Sequence, residues 1–449
     1  MARAKSQFVC QQCGASYPKW VGKCDNCGEW NSLVEQLPVD MGASAVARSS
    51  GKGKALTTLR LSETAAEAKQ ARLATGIADL DAVLGGGFLP GGVVLVAGQP
   101  GIGKSTLLAQ VAAFIARQKQ VLYVSGEESV SQVKLRAERL GAVDSESLQL
   151  ASSNSAEDIA ASIQTGQYNL VIVDSIQTLS LADIASAPGS VSQITNSSNV
   201  IIRAAKASNT AVILVGHVTK EGSIAGPKVL EHLVDVVLNF EGDRYGGFRV
   251  VRAQKNRYGS TNEAAIFEMH EDGLRIVVNP SASLLAERQN LDGSIVLATM
   301  EGARPLLVEI QALVNPTNFG YPKRAASGFD LNRLNLLVAV LEKRTKLSLS
   351  DKDIYINVVG GLKLSDPAAD LAVAMAIASA SAGRKLSDEA VVFGEVGLGG
   401  EVRSAQGWHA RVKEAKKLGF TYAIAPKTHK DAFVRGIGDL RQALIDYLQ

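Results

Sequence analysis

A nine-residue segment in the first half of the chain has the residue types and spacing of a phosphate-binding loop. The segment GQPGIGKST follows the apolar run VVLVAG at 93–98 and matches the pattern G-x-x-x-x-G-K-[ST] at every fixed position. Its glycines allow backbone amides to wrap phosphate oxygens, the lysine suits the β- and γ-phosphates, and the serine suits Mg²⁺. The helix expected directly afterwards adds a favourable N-terminal dipole. The residues predicted to hold a nucleotide are Gly98, Gln99, Pro100, Gly101, Ile102, Gly103, Lys104, Ser105 and Thr106.

Acidic residues end two further apolar runs. Asp174 follows the run LVIV, and beside a phosphate loop this is the position of a carboxylate that orients magnesium. Glu127 and Glu128 follow the run at 121–126, where a carboxylate can orient or deprotonate the water that attacks the γ-phosphate. We favour Glu127 for this role. The alternative is that both glutamates only begin a helix over 128–140.

These runs alternate with helical stretches, which indicates an α/β domain around a largely parallel sheet. His217 ends a later run, at the edge of such a sheet where ligands bind. It is a candidate sensor of the γ-phosphate, although a structural histidine fits the same position. The strands are predicted at 121–126, 170–175, 211–218 and 234–240.

The four cysteines of the chain are the second group that can do chemistry. They form the pattern C-x2-C-x10-C-x2-C, in which paired thiolates can share one tetrahedral zinc ion. A segment this short buries little core, so bound zinc would supply its folding energy. The alternatives are a redox pair or unused thiols. The predicted zinc ligands are Cys10, Cys13, Cys24 and Cys27.

The composition of the chain limits the classes of protein to which these motifs can belong. The chain has 449 residues, 46% of them hydrophobic, with 47 Lys and Arg against 44 Asp and Glu. At roughly 150 residues per domain this predicts about three folded units. There is no apolar run of membrane-spanning length and the basic start lacks the apolar core of a signal peptide, so we expect a cytoplasmic protein without a membrane partner. Composition thus excludes disordered, secreted and membrane classes.

Further along the chain, the pentapeptide Lys255-Asn256-Arg257-Tyr258-Gly259 closely resembles the KNRFG signature of the bacterial RadA (Sms) family. Tyr258 replaces phenylalanine and keeps its ring. The resemblance implies a RecA-like ATPase, using ATP and Mg²⁺, that assembles as a hexameric ring on single-stranded DNA. It also implies a role in recombinational repair, with branch migration on branched DNA alongside RecA.

The residues of this motif are strongly basic. Between Arg244 and Arg257 there are five basic residues and no acidic one. Such a segment suits phosphate-backbone contact, for which Lys255, Asn256 and Arg257 are the candidates, or insertion into a neighbouring subunit's nucleotide site. Our hypothesis is that Lys255 and Arg257 reach the γ-phosphate in trans. The alternative is a solvated basic strand edge.

Two segments are candidates for lining a DNA channel, by the same resemblance. They are loops predicted at 183–197 and 219–231, both rich in Gly, Ser and Ala, and Lys220 and Lys228 are the cations of the second. Because aromatic residues are scarce here, we expect binding that is electrostatic and indifferent to base sequence.

The C-terminal part resembles the proteolytic domain of Lon proteases. Residue by residue, the nucleophilic serine position falls on Ala368 and the lysine position on or near His409. Alanine has no nucleophilic oxygen, so an acyl-enzyme cannot form and we expect no peptidase activity. The domain would then serve ring assembly and DNA contact.

The sequence therefore predicts an α/β protein with a RecA-like P-loop ATPase core, a small N-terminal zinc module and an α+β Lon-protease-like domain. Its leading function is a DNA-dependent ATPase motor. The alternatives are a non-motor scaffold that uses ATP as an assembly switch and, less favoured, an ATP-dependent peptidase. The predicted boundaries are 1–37 for the zinc module, 38–60 for a flexible linker, 61–275 for the ATPase and 283–449 for the Lon-like domain.

Overall fold

A computed structural model of the chain describes residues 7–10, 15–30, 32–36, 72–141, 146–217, 229–242, 248–317 and 320–448. The chain divides into two compact units. The first comprises Met1–Glu241, Val251–Thr261 and His270–Leu274, and the second comprises Gly242–Val250, Asn262–Met269 and Arg275–Gln449. Within the described ranges, no helix is both long and apolar enough to cross a bilayer.

The cysteine-rich segment forms a small antiparallel sheet in the order β2-β1-β3, made of β1 (Gln7–Cys10), β2 (Ser16–Tyr17) and β3 (Leu33–Gln36). Its buried cluster consists of Cys10, Cys24 and Leu33 among the residues described there. The core formed by these described residues is small, which fits a segment whose fold is stabilised by a bound metal.

The first unit contains six parallel strands in the order β9-β4-β8-β7-β5-β6. Strands β4, β5 and β7 are buried along nearly their whole length, as expected when helices cover both faces of a parallel sheet. The four strands predicted from the sequence are confirmed as β5, β7, β8 and β9. The elements are β4 (Val93–Gly98), β5 (Val121–Ser125), β6 (Leu148–Ser152), β7 (Leu170–Asp174), β8 (Ala211–His217), β9 (Val236–Gly242), α1 (Ala78–Leu84), α2 (Lys104–Ile115), α3 (Val130–Arg139), α4 (Ala156–Gln164), α5 (Val191–Ser208) and α6 (Val229–Leu233), with a 3₁₀ turn at Ile176–Thr178.

The loop expected at 183–197 is wrong over its second half, because α5 begins at Val191. The hydroxyl of Ser190 accepts a hydrogen bond from the amide of Gln193 at 3.3 Å and so caps the helix. Ile194 and Ile201 are buried at helical spacing. The Ser- and Ala-rich composition that suggested a loop is tolerated because this apolar face packs in the core.

Residues of both units occur in β10 (Phe248–Asn256), β11 (Ala264–His270) and β12 (Gly273–Ile276), and Gly242 at the end of β9 also belongs to the second unit. The second unit has a mixed seven-stranded sheet in the order β15-β16-β14-β13-β17-β20-β21 and a separate hairpin of β18 and β19. Its elements are α7 (Pro280–Leu285), β13 (Ser294–Glu301), β14 (Arg304–Pro316), β15 (Arg324–Ser327), α8 (Leu331–Thr345), β16 (Lys352–Val358), α9 (Ala369–Ala382), β17 (Ala390–Val392), β18 (Glu395–Val396), β19 (Val402–Arg403), α10 (Trp408–Lys417), β20 (Tyr422–Pro426), β21 (Val434–Ile437) and α11 (Leu440–Tyr447).

Helix α9 is the centre of the second unit's core. Its residues from Ala369 to Ser379 are all buried. A helix that is apolar all round must be enclosed by protein, and its many alanines allow neighbouring elements to approach closely. Gly383 ends the helix with a φ of +63°, a left-handed conformation that glycine adopts without strain.

Candidate nucleotide-hydrolysis site

The phosphate loop connects β4 to α2, which confirms the strand–loop–helix context that the motif requires. Gly101 and Gly103 have φ values of +77° and +114°, which side chains with a Cβ rarely adopt. A Cβ on Gly98 would lie 2.6 Å from the carbonyl oxygen of Phe240. The three glycines are therefore required by the path of the backbone around the loop.

Lys104 lies inside this loop and is 4% exposed. Its ammonium donates to the carbonyls of Gly98 at 2.8 Å and Gln99 at 3.0 Å. It also lies 3.3 Å from Nδ1 of His217. The charge is thus held at the loop, where phosphate oxygens can replace the carbonyls as acceptors.

His217 connects the phosphate loop to the candidate general base. Its Nε2 lies 3.3 Å from Oε1 of Glu127. Because an ammonium has donors and no acceptor, the Lys104 contact requires Nδ1 to accept. The proton of a neutral ring therefore sits on Nε2 and is donated to Glu127, so His217 bridges Lys104 and that carboxylate.

Glu127 is held by a second donor, the hydroxyl of Ser175, at 2.6 Å from Oε1. Burial alone would raise the pKa of Glu127, but the hydrogen bonds from Ser175 and His217 and the positive charges nearby lower it below its ordinary value. The side chain is 47% exposed and so remains open to water. It is an ionised carboxylate beside the phosphate loop.

Glu128 has a different environment. It forms an ion pair with Arg136 of α3. Helix α3 begins at Val130 with Ser129 as its cap, so both glutamates precede the helix. The choice of Glu127 as the water-orienting residue stays a prediction, and of the two it is the one in contact with Ser175 and His217.

Asp174 ends β7, and its Oδ2 accepts a 2.6 Å hydrogen bond from the hydroxyl of Tyr123 on β5. Burial raises the pKa of Tyr123 well above its ordinary value, with the Asp174 charge acting in the same direction and a hydrogen bond with Ser105 lowering it. Tyr123 therefore brings together the two residues predicted to orient Mg²⁺. Sequence reasoning missed Tyr123 and Ser175: Ser175 directly follows the last residue of β7, whereas Tyr123 lies in the middle of β5 and has no local signal.

The KNRYG segment makes internal contacts. Lys255 donates to main-chain carbonyls at the end of α6, the nearest being Glu231 at 2.7 Å. Asn256 donates to the carbonyl of Val83 at 3.1 Å, and Arg257 pairs with Asp235 at 3.4 Å. The predicted roles of these residues on DNA or on a neighbour's phosphate stay predictions. The other DNA candidates, Lys220 and Lys228, lie outside the described residues.

The zinc ligands can be placed in part. The sulfurs of Cys10, Cys24 and Cys27 all lie within 4.8 Å of one another, and those of Cys10 and Cys27 are 3.6 Å apart. Tetrahedral zinc with Zn–S bonds of about 2.3 Å separates its sulfurs by about 3.8 Å, so the three thiols fit this ion. Cys13 lies outside the described residues.

At the Lon-like turn, Ala368 stands beside a buried ion pair. Asp366 accepts from Nη1 of Arg411 at 2.6 Å and from the amide of Ala368 at 3.0 Å. Arg411 is 1% exposed, whereas His409 is on the surface. The cation that contacts Asp366 of the turn is therefore Arg411, and the placement of the lysine position on or near His409 stays a prediction.

Comparison with protein-family models gives three matches. Residues 57–223 match a model described as an AAA domain, and residues 8–35 match a rubredoxin metal-binding domain. Residues 335–429 match the ChlI subunit of Mg-chelatase. These matches confirm the predicted fold class: an AAA/RecA-like ATPase core, an N-terminal zinc ribbon and a Lon-like C-terminal domain. They also confirm ATP, Mg²⁺ and Zn²⁺ as the cofactors.

Curated relatives match over nearly the full length. A protein of Bacillus subtilis named DNA repair protein RadA is 48% identical and covers 99% of each chain. A Brucella abortus protein of the same name is 48% identical and covers 95% of this chain and 92% of its own. Among solved structures, the RadB recombinase is 25% identical and covers 46% of this chain and 99% of its own, with a TM-score of 0.37, too low to support an argument.

Proposed function

The chain belongs to the RadA family of DNA repair proteins, and from this membership we propose that it is a DNA-dependent ATPase motor. It assembles as a hexameric ring on single-stranded DNA and promotes branch migration of recombination intermediates together with RecA. The match to an AAA domain and the name DNA repair protein carried by its relatives support ATP hydrolysis in DNA repair. Ring assembly, DNA dependence and the RecA partnership are the proposed part.

The observation that carries the proposal is the continuous set of contacts from Lys104 through His217 to Glu127. On binding ATP, the Lys104 ammonium moves from loop carbonyls to phosphate oxygens, and His217 loses the donor at its Nδ1. Glu127, kept ionised by its partners, then orients the attacking water. Ser105 and Asp174 would hold magnesium, which when bound would neutralise phosphate charge. A passive nucleotide switch has no need of a positioned carboxylate at this edge.

The proposed contact with DNA is electrostatic. Lys255, Arg257, Lys220 and Lys228 are its candidate cations, and contact with phosphates makes binding salt-dependent and insensitive to base sequence. The Lon-like domain contributes to assembly and DNA contact. Peptidase action is disfavoured because Ala368 lacks a hydroxyl, so an acyl-enzyme cannot form.

The decisive experiment measures ATP turnover of the purified full chain with and without a single-stranded oligonucleotide, and then branch migration on a three-strand intermediate with and without RecA. We expect stimulation by DNA and migration that requires ATP. The Lys104→Ala variant is the matched control and should lose both. Turnover that ignores DNA, with ATP-dependent assembly intact, would instead establish the scaffold alternative.

A further inference from the structure

A buried serine directly after β7 has a hydroxyl that does not cap the turn following it. Ser175 is 0% exposed and stands immediately before the 3₁₀ turn Ile176–Thr178. A serine that precedes a helical turn usually accepts a hydrogen bond from a main-chain amide of that turn. Within the described structure, the Ser175 side chain makes no such capping bond. Its hydroxyl donates instead to Oε1 of Glu127, at 2.6 Å.

Both donors to Glu127 bind the same oxygen of its carboxylate. Nε2 of His217 lies 3.3 Å from Oε1, the atom to which Ser175 also donates. Each oxygen of a carboxylate has about two acceptor sites, so these two donors occupy Oε1. No residue that the structure describes donates to Oε2. Because the side chain is 47% exposed, Oε2 is the oxygen that can accept a hydrogen bond from water.

The two donors depend differently on the nucleotide. His217 also contacts Lys104, whose ammonium turns to phosphate oxygens when ATP binds in the proposed function. The Ser175 contact depends on the pairing of β5 with β7, which are in parallel register up to Ser125 and Asp174. One residue before Glu127, the amide of Gly126 donates to the carbonyl of Asp174 at 2.8 Å. The Ser175 contact is therefore fixed by the sheet, whatever occupies the phosphate loop.

We propose that Ser175 is a positioning residue for ATP hydrolysis, which fixes Oε1 of Glu127 and so presents Oε2 to the attacking water. As the water oxygen bonds to the γ-phosphorus, the bond from that phosphorus to the β–γ bridging oxygen breaks, and its electron pair leaves with ADP. One proton of the water passes to Oε2 and is later released to solvent. This inference rests on the proposed ATPase function, in which Glu127 is the base.

Ser175→Ala removes the donor with little change in volume. A hydrogen bond to a charged group has a strength that corresponds to about a 10- to 100-fold change in rate, and we expect the hydrolysis step to slow by that factor. Affinity for a fluorescent ATP analogue should stay within about threefold, because the Ser175 hydroxyl contacts Glu127 rather than the phosphate loop. Rapid-quench single turnovers of the full chain, with a single-stranded oligonucleotide present, measure the hydrolysis step directly.

The pH dependence of the rate separates positioning from general damage to the fold. Burial raises the pKa of Glu127, and the Ser175 hydrogen bond is the first of the contacts that lower it, followed by His217 and Lys104. Without the Ser175 donor the pKa of Glu127 is higher, so the ionised base is lost at a higher pH. The acid limb of the rate profile should therefore move to higher pH in Ser175→Ala. A purely structural defect would lower the rate equally at every pH.

A double substitution and a matched serine complete the test. In a Glu127→Gln background, Ser175→Ala should cause no further loss, whereas an independent defect would multiply the loss by about 10-fold or more. Ser125→Ala is the control, since Ser125 is 2% exposed at the end of β5 and accepts from the amide of Glu128 at 2.9 Å. This control should keep the wild-type rate profile. Ser175→Thr, which retains the hydroxyl, should recover most of the rate.

The possible results distinguish the inference from the proposed function. A wild-type rate and acid limb in a folded Ser175→Ala variant would overturn the inference and leave the role of Glu127 intact. A multiplied loss in the double variant, or an equal loss in Ser125→Ala, would also overturn it. Absence of turnover in the wild type, or a fully active Glu127→Gln variant, would overturn the proposed function and the inference with it. Thermal unfolding verifies that each variant folds; should Ser175→Ala not fold, Ser175→Cys carries the same test, because a thiol is a weak donor.

Discussion

Replacing Glu127 by glutamine tests the hydrolysis site most directly. Glutamine keeps the carbonyl oxygen that accepts from Ser175 and His217 but removes the negative charge that orients and deprotonates water. A positioned general base contributes about 10²- to 10⁴-fold, so we expect kcat to fall by about that factor. ATP affinity should stay within about threefold of wild type, because Lys104 and the loop amides make the phosphate contacts. Phosphate release at saturating ATP and DNA gives kcat, and analogue binding gives affinity.

The matched control is Glu128→Gln. Glu128 is the neighbouring carboxylate, and its partner is Arg136 on α3. The Glu128 side chain is 42% exposed, so solvent screens this pair, and kcat should change by less than about twofold. Equal losses in the two variants, or a larger loss for Glu128→Gln, would refute the assignment of the water-orienting role to Glu127.

Three further outcomes follow from the same structure. Zinc chelation or Cys24→Ser should unfold the N-terminal sheet while binding of an ATP analogue at the phosphate loop stays intact. Zinc content and limited proteolysis measure the unfolding. An unaltered digestion pattern would contradict a structural zinc site. Tyr123→Phe should raise the Mg²⁺ concentration needed for half-maximal turnover, since Asp174 loses its 2.6 Å donor; an unchanged Mg²⁺ titration would count against this. Arg411→Met should destabilise the second unit by about 3–5 kcal/mol by leaving the buried Asp366 carboxylate unpaired, read by denaturant unfolding. Burial raises the pKa of the Asp366 carboxyl, but Arg411 and main-chain amides lower it more, so its pKa in the folded protein is below the ordinary value of 3.8. The pair should therefore stabilise the fold at pH values above 3.8. This stabilisation should be lost as the pH falls through the pKa of Asp366 in the folded protein.

Local sequence patterns are sufficient to predict the phosphate loop, the alternating strands and the zinc ribbon. Each depends on spacing within a few residues, where backbone geometry restricts the choice of side chain: glycine at the positive φ of Gly101 and Gly103, and cysteines paired with two residues between them. Asp174 and Glu127 could be proposed because the carboxyl ends of parallel strands share one edge. The start of α5 is wrongly predicted as a loop, because its serine-rich composition has a low helix propensity. The buried apolar face of the helix outweighs that propensity in the fold.

What the sequence determined by itself is the set of groups available for chemistry, because those motifs are fixed by neighbours along the chain. The tertiary structure decided which groups meet. Glu127 and Glu128 follow β5 in a bend, and only the fold gives Glu127 its contacts with Ser175 and His217 and gives Glu128 its ion pair with Arg136. Two residues along a helix turn a side chain by about 200°, which buries Arg411 and exposes His409. Tyr123 and Asp235 acquire partners from distant strands, and no local spacing encodes a contact that only sheet order and packing create.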